Sequence, residues 1–367
     1  MRRLQICVLV FVVLAALTWF FAPRAPTTIP RGKGLVLKRE WLVNHDPRLT
    51  PVEHQRPPDQ TFLTYPEWFL VFGPAEQADF FQGHTATKFP FMSHVRQIWE
   101  SYRVVYSQIR GNYPFNTGYH VMIGVIATSS TAEFGIKAAY ETLIGRLTDT
   151  PDGASLTAED RFNAAFTRDY VKFIETSPWY EFDFQTQLGK LWRENPLFGS
   201  NLVRKWERRY ILTTELVVKS IYGWLIQLGT RTAYDRPKLV TAVVVDHVPD
   251  QLEKQLPEAK MLTNLPDGST LLTLPRYAPF SSNACVLATG GTKFREIAGN
   301  NSAILISVLA PTKWDNRATE FQTIFTQPIP TRPGLKRVAL ATPVEQLSQT
   351  LTLLLDAKLT IEHIYDF

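Results

Sequence analysis

The sequence predicts an α+β protein that carries an N-terminal membrane anchor. Three observations indicate this class: nineteen uncharged residues at Leu4–Ala22, apolar helix-like segments rich in aromatic residues before residue 230, and short β-branched segments after residue 237. The length of 367 residues and the apolar fraction of 45% suit a folded chain of two domains. We expect an anchor at 1–22, a linker at 23–60, a mainly helical, aromatic-rich region at 61–236 and an α+β domain at 237–367.

The first element, Leu4–Ala22, is long enough to cross a bilayer as a helix. Its nineteen residues, at about 1.5 Å each, come close to a hydrocarbon thickness of roughly 30 Å. A cleaved signal peptide is the alternative, but its apolar part would be about 7–15 residues long, and Pro26 directly after Ala25 disfavours cleavage. We therefore expect an uncleaved, single-pass anchor in the cell membrane.

The residues that flank this anchor bear on its orientation. Arg2 and Arg3 favour a cytoplasmic N-terminus, whereas the basic residues within 24–39 favour the opposite. We expect the N-terminus inside the cell and the body outside the cytoplasm. Pro and small residues in 22–34 predict an extended stalk between anchor and body.

Charge and cysteine content limit the partners of the chain. The net charge is +5, but basic residues lie mostly among acidic ones, and the two basic clusters flank apolar segments. Membrane lipid is therefore the expected partner, a protein at the membrane is a second candidate, and nucleic acid is not expected. Cys7 lies inside the anchor and leaves Cys285 alone, which excludes a disulfide framework and a cysteine zinc site. No metal or cofactor is expected.

The central region shows signs of an internal duplication. The segments Thr131–Ile144 and Thr213–Ile226 match without a gap and share Thr, Glu, Lys, Tyr, Leu and Ile. Three weaker matches precede them in the same order: Thr64–Trp68 with Thr176–Tyr180, Phe89–Trp99 with Phe182–Trp192, and Asn112–Phe115 with Asn195–Phe198. The alternative is that apolar helices flanked by aromatic residues resemble one another by composition alone.

The matching helices carry the predicted binding residues. Each presents a polar stripe at positions i, i+4 and i+7, which fall on one helix face. The residues are Glu133, Lys137, Tyr140, Glu215, Lys219 and Tyr222. Three interpretations stay open: a solvated face on a soluble bundle, which we favour, a helix that lies in or against the membrane, and a buried functional Glu/Lys pair.

A basic and aromatic segment precedes the second matching helix and is predicted to contact lipid headgroups. Its contacting residues would be Arg204, Lys205, Trp206, Arg208 and Arg209. The following residues, Tyr210–Leu228, could lie on the membrane. Full spanning is disfavoured because a charge near the bilayer centre costs about 2.5–3.5 kcal/mol. Three spans, with another near Tyr119–Ala139, stay an alternative.

The C-terminal domain is predicted from alternating β-branched and helical segments. Strands are expected at Val240–Val248, Ser269–Leu274, Ala284–Thr289, Ala303–Ala310, Phe321–Thr326, Lys336–Thr342 and Leu359–Phe367. A short helix is expected from Pro249 and an amphipathic helix from Pro343 to Lys358. Helices among short strands suggest an α+β sandwich, of which the ferredoxin-like fold is one form.

The weak catalytic candidates are two carboxylates in aromatic surroundings. Glu67, in the segment Tyr65–Phe69, could have a raised pKa, and Glu181 follows a similar Pro-aromatic stretch. Such stretches more often anchor a loop on a core, and nothing in the sequence brings the two carboxylates together. His120 is interpreted as structural and Ala288–Phe294 as a hairpin turn, and no nucleotide, hydrolase or zinc-protease motif is present. An enzyme is therefore not the favoured interpretation.

Taken together, Thr64–Phe72, Arg204–Arg209 and the final Glu362–Phe367 resemble a group of uncharacterised, predicted membrane-anchored bacterial proteins. The residues that carry the resemblance are Tyr65, Pro66, Glu67, Trp68, His363, Tyr365 and Asp366. It covers the body from about residue 60 onwards. The resemblance implies a bacterial membrane location and assigns no activity or catalytic role.

The expected function is that of a membrane-anchored scaffold or binding module at the membrane surface. One alternative is an enzyme that acts on lipid or cell-envelope substrates through Glu67, Glu133, Glu181 or Glu215, which requires two of these carboxylates to meet in one pocket. The other is a lipid or small-ligand sensor with a cavity in the aromatic-rich region.

Overall fold

The computed structural model describes residues 37–45, 47–149, 156–233, 239–249 and 252–365. These residues form two compact units. The helical unit consists of 68–96, 126–149 and 156–233, and the mixed unit of 37–45, 47–67, 97–125, 239–249 and 252–365. The predicted anchor and stalk lie outside the described residues.

The helices of the first two thirds of the chain are α1 to α7. Their bounds are Gln60–Glu67, Phe69–Phe80, Phe91–Ile109, Thr117–Tyr140, Ala158–Ile174, Phe184–Glu194 and Leu202–Ala233. A five-residue π-helical segment, Glu141–Gly145, and a single turn, Arg146–Thr148, continue α4. Helix α1 belongs to the mixed unit. So do residues 97–125, which comprise the later part of α3, the following loop and the first part of α4.

Local sequence explains where two of the helices begin. Helix α5 starts with a capping box, in which the Thr157 side chain and the Asp160 side chain each satisfy a backbone N–H of the other residue. Helix α6 starts at Asp183, whose carboxylate accepts a hydrogen bond from the Thr186 N–H at 2.9 Å. In both cases the side chain takes up an N–H that the first helical turn leaves without a partner.

The mixed unit contains two four-stranded antiparallel sheets with the same strand order. The first comprises β1 to β4, in the order β2-β3-β1-β4: Val240–Val245, Lys260–Asn264, Thr270–Pro275 and Phe294–Ile297. The second comprises β5 to β8, in the order β6-β7-β5-β8: Ala303–Pro311, Gln322–Pro328, Leu335–Pro343 and Thr360–Ile364. Each sheet therefore places its first strand between its third and fourth.

Helices of the mixed unit cover these sheets and complete its core. They are α8 (Leu252–Gln255), α9 (Ala278–Thr289) and α10 (Leu347–Asp356). Helix α9 contributes Phe280 and Leu287 to the same apolar core as Leu351 of α10. Along the chain, the elements of the first sheet have the order β–α–β–β–α–β. The second sheet has the same order, except that an irregular segment replaces the first helix.

The α+β class predicted from the sequence is confirmed, and one predicted strand is wrong. Ala284–Thr289 forms the second half of helix α9, because a short apolar run suits a buried helix as well as a strand. The predicted hairpin turn at Ala288–Phe294 instead ends this helix, where Gly291 has a φ of +85°. The closing strand is present, as predicted, and forms β8 at the edge of its sheet.

Part of the predicted linker is folded into the mixed unit. Leu37, Trp41 and Leu42 are buried, and Arg39–Leu42 forms a 3₁₀ turn. The mixed unit also includes residues 61–67 and 97–125, which the sequence had assigned to the helical region. Among the described residues, no helix combines the length and the apolar composition that crossing a bilayer requires.

We expect Glu362→Gln to destabilise the mixed unit by about 3 kcal/mol, because it removes the carboxylate charge that pairs with a buried cation. Arg337 is 2% exposed, and its Nε and Nη2 donate to the Glu362 carboxylate at 2.6 and 2.7 Å. Denaturant-dependent labelling of Cys285, which lies against this core, measures the loss.

Asp267→Asn supplies the matched control for this variant. Its partner Arg295 is half exposed, so the change should cost about 0–1 kcal/mol. Equal losses in the two variants would contradict a special role for the buried pair.

Candidate functional site

The candidate site is a ring of four charged side chains in the helical unit, which we call the charge ring. Its members are Glu133 and Lys137 of α4 and Glu215 and Lys219 of α7. Within each helix the two charges are four residues apart and paired, at 2.9 Å in α4 and 3.0 Å in α7. Between the helices, Lys137 pairs with Glu215 at 2.9 Å and Lys219 with Glu133 at 3.2 Å. Each charge therefore touches two opposite charges.

The contacts between the two helices are reciprocal. Glu133 and Glu215 occupy equivalent positions of the matching segments, as do Lys137 and Lys219. The lysine of each segment pairs with the glutamate of the other, which is the pattern of a contact between two copies related by a two-fold axis. The four charges sum to zero, so the ring needs no external counter-ion.

A second set of repeated contacts lies at the start of α3 and of α6, 93 residues apart. In the first, the ring centroids of Phe80–Phe89 and Phe89–Phe91 are 5.5 and 4.8 Å apart, with interplanar angles of 72° and 64°. In the second, Phe173–Phe182 and Phe182–Phe184 are 5.4 and 5.0 Å apart, with angles of 70° and 64°. Distances and angles of the two aromatic triads agree within 0.2 Å and 2°.

The backbone around these triads repeats as well. The carbonyl of Phe80 accepts hydrogen bonds from residues 83 and 84, and the carbonyl of Phe173 accepts them from residues 176 and 177. The Phe91 N–H donates to the Phe89 carbonyl at 2.9 Å, and the equivalent bond from Phe184 to Phe182 is 3.0 Å. Equivalent residues are 93 positions apart in the aromatic triads but 82 positions apart in the charge ring. The helices that lie between the triad and the ring differ in length: α3 has 19 residues and α6 has 11.

The pairing keeps Glu133, Glu215 and Lys219 ionised. Burial acts to raise the pKa of Glu133, but Lys219 and Lys137 lower it below its usual value of 4.5. Burial and the lysines act on Glu215 in the same way, and its pKa is also lowered. For Lys219, burial acts to lower the pKa, but the two glutamates raise it above the usual 10.5. A general acid at neutral pH needs a raised carboxylate pKa, so the pair does not suit that role.

Aromatic side chains and a cavity lie next to the ring. The Lys219 ammonium is 5.1 Å from the Tyr170 ring centroid and 5.9 Å from that of Phe184, within the range of cation–π contact. Burial raises the pKa of Tyr170 to about 12, so its hydroxyl stays protonated. The cavity has a volume of about 70 Å³, and its lining includes all four ring charges, Tyr170 and Phe134.

The two tyrosines of the predicted stripe do not join the ring. The Arg208 guanidinium carbon lies 5.8 Å from the centroid of the Tyr140 ring. Tyr222 stacks on Trp179 with centroids 5.3 Å apart. The expected solvated face is also wrong, because the side chains of Lys137, Glu215 and Lys219 are only 15–18% exposed. Glu133, at 40%, is the exposed member of the ring.

The predicted basic collar is buried instead of exposed. Arg204, Lys205, Arg208 and Arg209 are each 1–4% exposed. Their carboxylate partners come from distant segments: Arg204 with Asp160 at 3.5 Å, Lys205 with Glu159 at 3.0 Å, Arg208 with Glu141 at 2.6 Å and Arg209 with Glu159 at 2.5 Å. The prediction that these four side chains contact lipid headgroups is therefore wrong. Trp206, the fifth residue of the prediction, is exposed.

Sequence reasoning missed these acidic partners. Glu159 is fully buried and serves two cations, and Glu141 begins the π-helical segment. The capping-box signal at Thr157–Asp160 was visible in the sequence, but nothing there indicated which carboxylates would face the basic segment across more than 40 residues.

The outward side of α7 is apolar. Its large exposed side chains are Leu202, Val203, Trp206, Tyr210, Val217, Val218, Ile221, Trp224, Leu225 and Leu228. At 100° per residue they fall within an arc of about 160°. The equivalent side of α4 and its continuation exposes Ile136, Leu143, Ile144 and Leu147. On both matching helices the Glu/Lys pairs face each other while large apolar side chains are exposed, which differs from an ordinary surface helix in water.

The weak catalytic candidates lie in different units. Glu181, in the helical unit, is exposed. Glu67, in the mixed unit, accepts a 2.5 Å hydrogen bond from the Tyr119 hydroxyl, and burial raises its pKa although Tyr119 and Arg276 act against this. Of the four glutamates considered for catalysis, only Glu133 and Glu215 line one cavity.

Residues from two of the three segments on which the resemblance rests meet in the mixed unit. The Thr61 hydroxyl, at the start of α1, donates to the Tyr365 carbonyl at 2.9 Å. The ring centroids of Tyr65 and Tyr365 are 5.3 Å apart, and His363 lies 4.8 Å from Tyr365. Burial lowers the pKa of His363 to about 3, so its imidazole is neutral. These contacts hold the last strand on α1.

Comparison with known proteins gives no further assignment. No family model matches the chain, and no match is found among curated proteins or solved structures.

We expect Glu215→Gln to cost the helical unit about 2–4 kcal/mol of unfolding free energy, because two mostly buried lysines lose a shared counter-charge. The matched control is Glu133→Gln, its equivalent in the other helix. Because the Glu133 side chain is 40% exposed, this change should cost about 0–1 kcal/mol. Denaturant unfolding followed by tryptophan fluorescence measures both, and a larger loss for the control would contradict the geometry.

The ring also predicts a pH dependence. Glu133 and Glu215 have lowered pKa values in the folded state, so their stabilisation is complete above about 4.5 and is lost as the pH falls through the folded values. Lys219 has a raised pKa, so its contribution is lost only as the pH rises above 10.5. Unfolding of the helical unit between pH 7 and pH 3 should show this decline. Glu215→Gln should flatten it, and an unchanged slope would count against the ring.

Proposed function

We propose that the chain is a membrane-anchored binding module whose helical unit rests on the bilayer surface. The observation that carries the proposal is the reversed polarity of α7: cations and carboxylates face inwards, and a mainly apolar stripe faces outwards. Contiguous exposed apolar surface of this kind marks a site of contact with lipid or protein. Lipid is the better fit, because the N-terminal Leu4–Ala22, if it forms the predicted anchor, tethers the chain at a membrane.

The stripe has the dimensions and composition of a surface-lying helix. From Val203 to Leu228 it extends about 38 Å along α7. Trp206 and Tyr210 stand near one end and Trp224 near the other. Amphipathic aromatic rings of this kind favour the headgroup region. Since the stripe occupies one side of the helix only, it supports a helix lying along the surface.

The proposal includes an internal duplication as the origin of the helical unit. Equivalent Glu–Lys contacts, the two aromatic triads and the matching backbone hydrogen bonds support it. Similarity of composition alone would not reproduce ring distances and angles so closely. The strand order 2-3-1-4 in both sheets supports a pair of ferredoxin-like halves in the mixed unit. The module would thus be a scaffold of repeated parts.

A ligand sensor is the second candidate function. The cavity beside the charge ring, with polar and aromatic lining, favours it. Lipid or another small molecule retained in this cavity by the full chain, and detected by native mass spectrometry, would support this function. The alternative of an enzyme that acts on envelope substrates has less support. Lysines keep the two glutamates that line this cavity ionised, so neither suits the role of a general acid.

Spin labels on the full chain in liposomes test the membrane-surface proposal. In a background with Cys7→Ser and Cys285→Ser, one variant carries Val218→Cys on the stripe and another Lys172→Cys on an exposed position of α5. We expect a nitroxide at 218 to collide with lipid-soluble oxygen and to be shielded from an aqueous nickel complex. A nitroxide at 172 should show the reverse.

The same labels in detergent and in liposomes separate lipid from a second copy of the chain. A label at 218 that is equally water-accessible in both environments would contradict the proposal. Spin–spin broadening between labels at 218, independent of lipid, would identify the stripe as a dimer interface instead.

A further inference from the structure

The mixed unit has a cavity of its own where α3 ends and α4 begins. Its volume is about 140 Å³. The rings of Tyr106, Tyr113, Phe115 and His120 line it, together with the side chain of Arg110. The segment between the two helices turns at Gly111, whose φ of +81° is one that residues with a Cβ rarely adopt.

The aromatic walls are held in place by contacts with one another. Phe115 stacks on His120 with centroids 4.2 Å apart and planes within 5°, and Tyr106 meets the same imidazole edge-on at 5.6 Å. The Tyr102 hydroxyl is 3.0 Å from His120 Nδ1, which fixes the ring orientation. Burial lowers the pKa of His120, although Asp59 acts against this, so the imidazole is neutral at pH 7. His120 is thus structural, as expected, but it is also a wall of a cavity.

Arg110 supplies the charge of this cavity. It is exposed, it is the only lining residue with a full charge at pH 7, and no carboxylate among the described residues forms an ion pair with it. Phe115, beside it, is 61% exposed although its ring is apolar. An exposed arginine next to an exposed aromatic ring suits a ligand that has an anionic group and an apolar or planar body. The guanidinium fork matches two phosphate oxygens at once.

We propose that this cavity binds an organic phosphate, with the phosphate group on Arg110 and the organic part against the aromatic walls. The site goes beyond the membrane contact proposed for the helical unit and stands on different residues. Because the residues differ, failure of the membrane proposal leaves the phosphate site intact, and the reverse also holds. Both a lipid headgroup and a soluble phosphate ester offer the chemistry that this site would bind.

Titration of the full chain with phenyl phosphate, in a micelle of a phosphate-free maltoside detergent, tests the site. We expect saturable binding of one molecule by calorimetry, and weaker binding of inorganic phosphate, which has no organic part. Arg110→Gln should weaken the binding of phenyl phosphate at least tenfold, and Phe115→Ala severalfold. The matched control is Arg103→Gln, an exposed arginine of α3 that does not line the cavity and should leave binding unchanged.

Two results would overturn the proposal: no saturable binding of phenyl phosphate to the folded protein, or equal losses for Arg110→Gln and Arg103→Gln. Liposomes of phosphatidylglycerol distinguish the sources of the ligand. Competition between these liposomes and phenyl phosphate, lost in Arg110→Gln, supports a lipid headgroup. Unchanged phenyl phosphate binding in their presence supports a soluble ester.

Discussion

The reciprocal ion pairs between α4 and α7 are the constraint on which the helical unit depends. Lys137, Glu215 and Lys219 are mostly buried, and the cross-pairing of Lys137 with Glu215 and of Lys219 with Glu133 gives each of them an opposite charge across the helices. Once the charged sides of both helices are turned towards each other, their apolar sides must face outwards. The outward stripe is therefore a consequence of the same pairing, and it is what makes lipid the proposed partner.

The buried basic segment follows the same rule in a less symmetric way. Arg204, Lys205, Arg208 and Arg209 lie one turn after another at the start of α7, and each has a carboxylate from α5 or from the continuation of α4. Breaking one such pair leaves a buried charge, which costs far more than an exposed pair contributes. These contacts therefore specify which side of α7 is inside along its first half, as the charge ring does along its second half.

Periodicity in the sequence was sufficient to find the repeated helices, their Glu/Lys positions and most of the strands, because these are local patterns. It could not tell which side of a helix faces the interior: a polar stripe is compatible with water outside or with opposite charges inside. The partners of Arg208 and Lys205 lie 67 and 46 residues away, which no local pattern reveals. Nor did the sequence show that a loop beside His120 encloses a cavity, although Tyr106, Tyr113 and Phe115 were visible as clustered rings.

The most direct measurement is the stability of a chain in which all four charges of the ring are inverted, by Glu133→Lys, Lys137→Glu, Glu215→Lys and Lys219→Glu together. Every pair within and between the helices is then preserved with opposite sign. Glu215→Lys alone places three cations around one carboxylate and should unfold the helical unit or strongly destabilise it. If reciprocal pairing organises the unit, the fourfold inversion should recover most of the unfolding free energy that the single reversal loses. A fourfold variant as unstable as the single one would contradict this.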